Sequence, residues 1–133
     1  MSARTPRPLV GLTVLVVDDH RDTVDMLREY LDSAGATVVG ADSAKTALAF
    51  AETHVLDVVL VDLRMPSEDG WWFLREPRAS RVVGAASVPV FAITGERHDL
   101  PDDPASGFAG YFLKPIELDA LVAALAPLPR RRS

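Results

Sequence analysis

Short apolar runs alternate with helix-like stretches along the chain. The runs are rich in β-branched residues and fall at positions 12–17, 37–41, 58–61 and 88–93. Each run is apolar throughout rather than at every second position, which indicates strands that are buried on both faces. A short aromatic run at 110–113 is predicted to form a fifth strand. Strands of this kind belong to a parallel sheet that is covered by helices on both sides.

The segments between the strands carry apolar residues at helical spacing. The first of them places these residues on one face: Val24, Leu27, Leu31 and Ala34. Gly35 follows as a natural C-terminal cap, and Ser43 can cap a second helix. A third helix is predicted to begin near Gly70 and to end before Pro77, and a last helix spans 117–126.

The repeated order of strand and helix predicts a doubly wound α/β fold with right-handed crossovers and a five-stranded parallel sheet. This fold is predicted to occupy residues 9–126 as a single domain, with tails at 1–8 and 127–133. The segment between Thr94 and Gly110 fits the order badly, because its prolines disfavour a full helix. We expect a short distorted helix or an ordered loop there.

Length and composition narrow the chemistry that is open to this chain. The 133 residues are enough for one domain with its own core. The absence of cysteine excludes a disulfide scaffold, a thiolate nucleophile and a cysteine-ligated metal. The histidines His20, His54 and His98 lack metal-ligand spacing and are predicted to be loop or surface residues. Carboxylates must therefore carry most of the chemistry.

The charge of the chain is unevenly distributed. The formal net charge is −5, but all 19 acidic residues lie between Asp18 and Asp119, while five of the 14 basic residues are arginines of the two tails. A body this acidic repels nucleic acid and anionic membranes, so neither is expected as a partner. No apolar run approaches the roughly 18 residues that a membrane span requires, and we expect a cytoplasmic protein.

Three carboxylates come at predicted strand ends. Asp18 and Asp19 follow the first strand, and Asp62 ends the third. If the strand order is 2-1-3-4-5, as in flavodoxin-like sheets, those strands are neighbours and the acids share one pocket. At a separation of about 5 Å each pair would repel by roughly 3 kcal/mol, with an effective dielectric constant near 20. Either one acid holds a proton at neutral pH, or a hard divalent cation, Mg²⁺ or Mn²⁺, lies among them.

Two further polar residues reach the same edge of the sheet. Thr94 ends the fourth strand, and Lys114 follows the fifth. The chain has two lysines in all, and a compact ammonium suits one oxygen of a carboxylate or phosphoryl group. The bond from Lys114 to Pro115 is a candidate for the cis isomer.

Four motifs together carry a family resemblance. They are Val-Val-Asp18-Asp19, Val-Asp62-Leu-Arg-Met-Pro66-Ser-Glu-Asp-Gly70, Ala-Ile-Thr94-Gly95 and Gly110-Tyr-Phe-Leu-Lys114-Pro115. In this order and at these strand ends, they resemble the receiver domain of two-component response regulators, over about residues 9 to 126. The flavodoxin-like class includes members of this family.

The resemblance implies a role for each residue of the site. Asp62 would accept a phosphoryl group from a phosphohistidine, and Lys114 would be the counter-ion of that group. Thr94 would be the switch hydroxyl and Tyr111 the switch aromatic, although a plain core role for Tyr111 is also open. The implied ligands of Mg²⁺ or Mn²⁺ are the carboxylates of Asp18, Asp19 and Asp62 and the backbone carbonyl of Arg64.

The resemblance also implies partners. A sensor histidine kinase or a histidine phosphotransfer protein would supply the phosphoryl group, a downstream protein would respond to the switch, and a homodimer is compatible with it. The length leaves no room for an output domain, so we expect a stand-alone receiver that is not an enzyme. The alternative is a receiver-like module that signals by constitutive protein binding. A phosphohydrolase is disfavoured, because position 64 is arginine where a general acid would be needed.

Overall fold

A computed structural model describes residues 7–65, 68–76, 88–99 and 107–131 of the chain. Its strands are β1 (Thr13–Val17), β2 (Thr37–Ala41), β3 (Val58–Asp62), β4 (Val90–Thr94) and β5 (Gly110–Leu113). Its helices are α1 (Arg21–Ser33), α2 (Ala44–Ala51), α3 (Gly70–Arg75) and α4 (Leu118–Leu125), with a short 3-10 helix at Arg97–Asp99. The five predicted strands are all present, and β2 and β5 have the predicted bounds.

All neighbouring strands pair in parallel, in the order β2-β1-β3-β4-β5. This order confirms the predicted doubly wound α/β fold, with β1 and β3 side by side at the point where the winding reverses. The register pairs Val17 with Val61, and Asp62 with Ile93. The carboxyl ends of β1, β3 and β4 therefore meet at one edge, which is where a sheet of this kind binds its ligands.

Two apolar layers lie between the sheet and the helices. The layer under α2 and α3 includes Leu15, Val17, Leu48, Val59, Val61 and Phe73. The layer under α1 and α4 includes Val14, Val16, Leu27, Leu31, Leu60 and Leu121. Successive residues of a strand point to opposite faces, so each central strand supplies both layers. Burial on both faces is thus confirmed for β1, β3 and β4. It was wrong for the run at 37–41, because β2 is an edge strand in which only Ala41 is buried.

The helices begin and end at residues with suitable side chains. Ser43 Oγ accepts a hydrogen bond from the N–H of Thr46 at 3.1 Å, as predicted for the start of α2. Asp69 caps α3 in the same way, accepting from the N–H of Trp72 at 3.0 Å. Gly35, after α1, has φ 107, and a Cβ at this position would meet a neighbouring side chain at 2.7 Å. Both the backbone conformation and the lack of space therefore require glycine here.

The segment after β4 begins with the 3-10 helix, which agrees with the expected short helix or ordered loop. The third helix begins at Gly70 and ends at Arg75, before Pro77, as predicted. The part of the prediction that rests on Pro101 and Pro104 concerns residues outside the described ranges. Across the described ranges, no helix combines the length and the apolar character that a membrane crossing demands.

Arg130 and Arg131, in the segment predicted as a C-terminal tail, make hydrogen bonds to the rest of the domain. The Arg130 guanidinium donates hydrogen bonds to the carbonyl oxygens of Pro8, Val10, Ala126 and Leu128. The main-chain N–H of Arg131 donates to the buried carboxylate of Asp57, which lies at the amino-terminal edge of the sheet. Carbonyls at the end of a helix have no helical partners, so a cation there binds them favourably. Arg130 in this way joins the two ends of the folded chain.

Candidate functional site

Two buried aspartates lie at the carboxyl edge of the sheet. Asp62 is the last residue of β3 and is 3% exposed, while Asp18 directly follows β1 and is 1% exposed. Asp19 is exposed beside them. A carboxylate oxygen from each of the three and a ring nitrogen of His20 all lie within 4.8 Å of one another. The structure thus brings together the three carboxylates that the sequence places at strand ends.

Main-chain amides hold one oxygen of each buried carboxylate. The N–H of His20 donates to Asp18 Oδ1 at 2.9 Å, and the N–H of Arg64 donates to Asp62 Oδ1 at 2.8 Å. Each donor comes two residues after its aspartate, which is the geometry of an Asx turn. The loop after each strand therefore fixes the orientation of the carboxylate that ends it.

Lys114 faces the second oxygen of both buried carboxylates. Its Nζ donates a hydrogen bond to Asp62 Oδ2 at 2.9 Å and lies 2.8 Å from Asp18 Oδ2. The residue directly follows β5, and its peptide bond to Pro115 is cis. The ammonium thereby bridges the ends of three strands, in agreement with the sequence argument that it lies opposite the acids.

Burial and the ammonium shift the titration of this cluster in different directions. Burial raises the pKa of Asp62, and the nearby charge of Asp18 adds to this effect. Burial also acts to raise the pKa of Asp18, but Lys114 and the N–H of His20 outweigh it and lower the pKa. Burial acts to lower the pKa of Lys114, yet the two carboxylates outweigh it and raise the pKa. Lys114 is therefore a stable cation next to an acid, Asp62, that is destabilised as an anion.

The two candidate switch residues differ in exposure. Thr94, the last residue of β4, is fully buried, and its Oγ1 accepts a hydrogen bond from the N–H of Glu96 at 3.1 Å. Tyr111, in β5, is 49% exposed, so it is not a core aromatic in this structure. Because β3 pairs with β4 through Asp62 and Ile93, Thr94 lies one residue beyond the pair that contains the buried acid.

An ion pair between Arg64 and Asp99, at the edge of the site, was not predicted from the sequence. The Arg64 guanidinium donates two hydrogen bonds to the carboxylate of Asp99, which belongs to the 3-10 helix after β4. The pair thereby links the loop after β3 to the loop after β4. No sequence pattern could have revealed this ion pair, because the two residues are 35 positions apart and neither lies in a segment with a periodic apolar pattern.

The ring of His20 is a second feature that the sequence did not reveal. His20 is exposed, as expected of a loop residue, but its Nδ1 lies 3.0 Å from Asp18 Oδ1. Its position directly after two candidate ligands is the signal that could have drawn attention to it.

The residues present fit a hard divalent cation. Asp18 Oδ2 is buried and accepts no hydrogen bond within the described part of the chain, although the Lys114 ammonium lies 2.8 Å from it. Three carboxylates beside one ammonium leave an excess of negative charge, and carboxylate oxygens are the ligands that Mg²⁺ prefers. The carboxylates that could hold the ion are those of Asp18, Asp19 and Asp62, and the ring of His20 lies beside them.

The sequence matches a known family and its members. A family model described as the response regulator receiver domain matches residues 14–126. The virulence sensor protein BvgS of Bordetella bronchiseptica is 37% identical, in an alignment that covers 96% of this chain and 11% of BvgS. The virulence transcriptional regulatory protein PhoP of Salmonella typhimurium is 32% identical, with 92% of this chain and 54% of PhoP covered. The chain thus spans about a tenth of one relative and about half of the other.

The fold is similar to those of solved receiver structures. The chemotaxis protein CheY4 of Vibrio cholerae superposes with a TM-score of 0.75 and 27% identity, covering 89% of this chain and 98% of that chain. The receiver domain of the sensor histidine kinase PA1611 from Pseudomonas aeruginosa, which has a magnesium ion coordinated in its active site cleft, gives a TM-score of 0.73 at 26% identity. That match covers 87% of this chain and 95% of the PA1611 receiver. The chain therefore belongs to the response regulator receiver domains, the CheY-like signalling modules of two-component systems, which are not enzymes in the usual sense.

Proposed function

We propose that Asp62 accepts a phosphoryl group from a phosphohistidine and that the modified domain then signals to another protein. The observation that carries the proposal is the environment of Asp62, a buried carboxylate with one oxygen bound to a main-chain amide and the other to Lys114 Nζ at 2.9 Å. This arrangement is in keeping with the receiver family, to which the chain belongs.

The proposed transfer needs little covalent chemistry from the protein. A carboxylate oxygen of Asp62 forms a bond to phosphorus as the P–N bond of the phosphohistidine breaks, and the donor imidazole leaves with the bonding electrons. An anion attacks an anionic phosphorus in this step, so the main requirement is positive charge around the transferred oxygens. Lys114 supplies such a charge from the protein, because its ammonium already faces Asp62.

Asp18, Asp19, Asp62 and the backbone carbonyl of Arg64 are the proposed ligands of Mg²⁺ or Mn²⁺. The bound ion would neutralise phosphoryl oxygens and the excess charge of the carboxylates. The magnesium ion in the PA1611 receiver is a precedent for such a site in a similar fold.

The proposed switch starts from the charge of the new phosphoryl group. The hydroxyl of Thr94 moves toward one of its oxygens, and Lys114 pairs with another. Tyr111, which is exposed in this structure, then turns into the space that Thr94 leaves. The altered surface of β5 biases a two-state equilibrium that a partner protein can detect.

The partners that follow from this chemistry are a sensor histidine kinase or a histidine phosphotransfer protein, and a downstream protein target. The curated relatives include a sensor protein and a transcriptional regulatory protein, which supports partners of both kinds. With 19 acidic residues the domain is not expected to bind nucleic acid or membranes itself. We propose a cytoplasmic location, where a kinase can form phosphohistidine from ATP.

The test is uptake of a phosphoryl group from phosphoramidate, followed by intact-mass measurement. With Mg²⁺ present, the wild-type protein is expected to gain one phosphoryl group, and the gain is expected to disappear when the metal is chelated. The variant Asp62→Asn is expected to gain none. Asp32→Asn serves as the matched control, because Asp32 is exposed on α1 away from the site.

The outcomes separate the two functions that the sequence leaves open. A gain that Asp62→Asn abolishes and Asp32→Asn retains supports the phosphorylated switch. A wild-type protein that gains nothing at saturating phosphoramidate and Mg²⁺ would support the interaction module that signals by constitutive binding.

A further inference from the structure

His20 places a ring nitrogen among the three carboxylates of the site. It is the residue that precedes α1, directly after Asp18 and Asp19. Both its main-chain N–H and its ring Nδ1 approach the same atom, Asp18 Oδ1, at 2.9 Å and 3.0 Å. The backbone contact fixes the position of the His20 main chain beside Asp18, and the ring contacts the same carboxylate.

The distances around Nδ1 match the spacing of ligands around a small divalent cation. Nδ1 lies 3.0 Å from Asp18 Oδ1, 3.4 Å from Asp19 Oδ1 and 4.0 Å from Asp62 Oδ2. In an octahedral site with bonds of about 2.1 Å, neighbouring ligand atoms are about 3.0 Å apart and opposite ones about 4.2 Å. The distances to Asp18 and Asp62 are close to these two values and the distance to Asp19 lies between them, so Nδ1 is near enough to join the carboxylates around one ion.

Neither core packing nor helix capping accounts for the position of the ring, and in this structure its contact is the hydrogen bond between Nδ1 and Asp18 Oδ1. The side chain of His20 is 66% exposed, so the ring is not part of the apolar core. It also makes no side-chain capping bond to α1, although it occupies the N-cap position. What remains is its contact with the acids.

We propose that His20 is a metal ligand through Nδ1 and that it shifts the metal preference of the site from Mg²⁺ toward Mn²⁺. Carboxylates bind both ions, whereas imidazole nitrogen is a ligand of transition metals and a poor ligand of Mg²⁺. The inference rests on the proposed function only in using the same carboxylates as the metal site. The inference adds one point to that function, namely that the metal ligands include a nitrogen of His20 as well as carboxylate oxygens.

The affinity test compares Mn²⁺ and Mg²⁺ binding to the metal-free wild type and to His20→Ala, at about pH 8, where free imidazole is neutral. Calorimetry or the fluorescence of Trp71 and Trp72 can follow each titration. Loss of the ligand is expected to weaken Mn²⁺ binding by at least the roughly 10-fold to 100-fold seen for the loss of an outer-shell partner. Mg²⁺ affinity is expected to change by less than about threefold, because imidazole contributes little to a magnesium site. His54→Ala is the matched control, since His54 lies three residues after α2, is exposed and stacks on Phe50.

A spectroscopic test detects the bond itself. Pulsed electron paramagnetic resonance of Mn²⁺-loaded wild-type protein is expected to show the modulation of a directly bound nitrogen. The signal is expected to persist in His54→Ala and to vanish in His20→Ala. Absence of the nitrogen signal in wild type, or an equal loss of Mn²⁺ and Mg²⁺ affinity in His20→Ala, would overturn the assignment.

The two proposals fail separately. Wild-type protein that is phosphorylated in Mg²⁺ but shows no nitrogen signal in Mn²⁺ would refute the role of His20 alone. Wild-type protein that binds Mn²⁺ through nitrogen but takes up no phosphoryl group would support His20 as a ligand and refute the proposed function.

Discussion

Removing the ammonium of Lys114 perturbs the charge balance of the site most directly. In the variant Lys114→Met the apolar part of the side chain is kept while the cation is lost. Nζ lies 2.9 Å from Asp62 Oδ2 and 2.8 Å from Asp18 Oδ2. At an effective dielectric constant near 20, each contact corresponds to an attraction of about 6 kcal/mol. The variant loses both attractions and leaves two buried carboxylates without their cation.

The remaining carboxylates repel one another. Their oxygens lie within 4.8 Å, so each pair repels by about 3.5 kcal/mol or more at the same dielectric constant. Removing one partner of a buried ion pair costs about 3–5 kcal/mol once the desolvation of the cation is taken into account. Because Lys114 is partly exposed, we expect a loss near the lower end, about 3 kcal/mol in the free energy of unfolding of the metal-free protein.

The assay is urea unfolding at neutral pH, followed by the fluorescence of Trp71 and Trp72. Saturating Mg²⁺ is expected to reduce the loss to less than about half, because the ion binds to the folded state and compensates the same carboxylates. Lys45→Met is the matched control, since Lys45 is exposed and pairs with Glu68 at 3.0 Å. Lys45→Met is expected to lower the free energy of unfolding by less than about 1 kcal/mol, as is usual for the loss of a surface ion pair. Equal losses in the two variants, or no effect of Mg²⁺ on the loss in Lys114→Met, would refute the reasoning.

Three other variants test separate parts of the account. Asp62→Asn should make the metal-free protein more stable at neutral pH, because burial raises the pKa of Asp62 and so destabilises its anion in the folded state. In wild type the folded state binds a proton more readily than the unfolded state, so the stability of wild type rises as the pH falls through the raised pKa. Urea unfolding should show that the difference in free energy of unfolding between Asp62→Asn and wild type becomes smaller toward acidic pH. An Asp62→Asn variant that is less stable than wild type at neutral pH would contradict this prediction. Thr94→Ala should lower the free energy of unfolding by about 1 kcal/mol, because Thr94 Oγ1 loses its hydrogen bond. In this variant the exposure of Tyr111, measured by NMR, should not change on phosphorylation. A change of the wild-type size would show that Thr94 is not part of the switch. Arg130→Ala should lower the free energy of unfolding by about 2–3 kcal/mol, because it removes the hydrogen bonds of the guanidinium. Arg131→Ala should have little effect, because it keeps the hydrogen bond of its main-chain N–H. Similar losses in the two variants would contradict the role of Arg130.

The sheet could be predicted from the sequence because burial on both faces leaves a clear pattern. The run at 37–41, which contains Thr37 and Gly40, is a weaker pattern, and it still matches the bounds of the edge strand β2. The strand order predicts that Asp18 and Asp62 lie close together, because parallel strands have their carboxyl ends at one edge of the sheet. The acidic cluster was therefore predictable from topology, without any knowledge of side-chain positions.

Contacts between irregular segments could not be predicted in this way. The pair of Arg64 and Asp99 depends on the conformation of two loops, neither of which has a periodic pattern. The partners of Arg130 include carbonyls of Pro8 and Val10, at the other end of the chain, and a main-chain acceptor has no residue type that would mark it. The orientation of the His20 ring likewise depends on a single turn after β1.

Localisation of the phosphoryl group tests the central claim most directly. Wild-type protein is treated with phosphoramidate and Mg²⁺, and borohydride then reduces any aspartyl phosphate to homoserine, which peptide mass analysis can place along the chain. The account predicts homoserine at position 62 and at no other aspartate, and none when the metal is chelated. Modification of a different residue, or an unmodified Asp62 under saturating phosphoramidate and Mg²⁺, would contradict it.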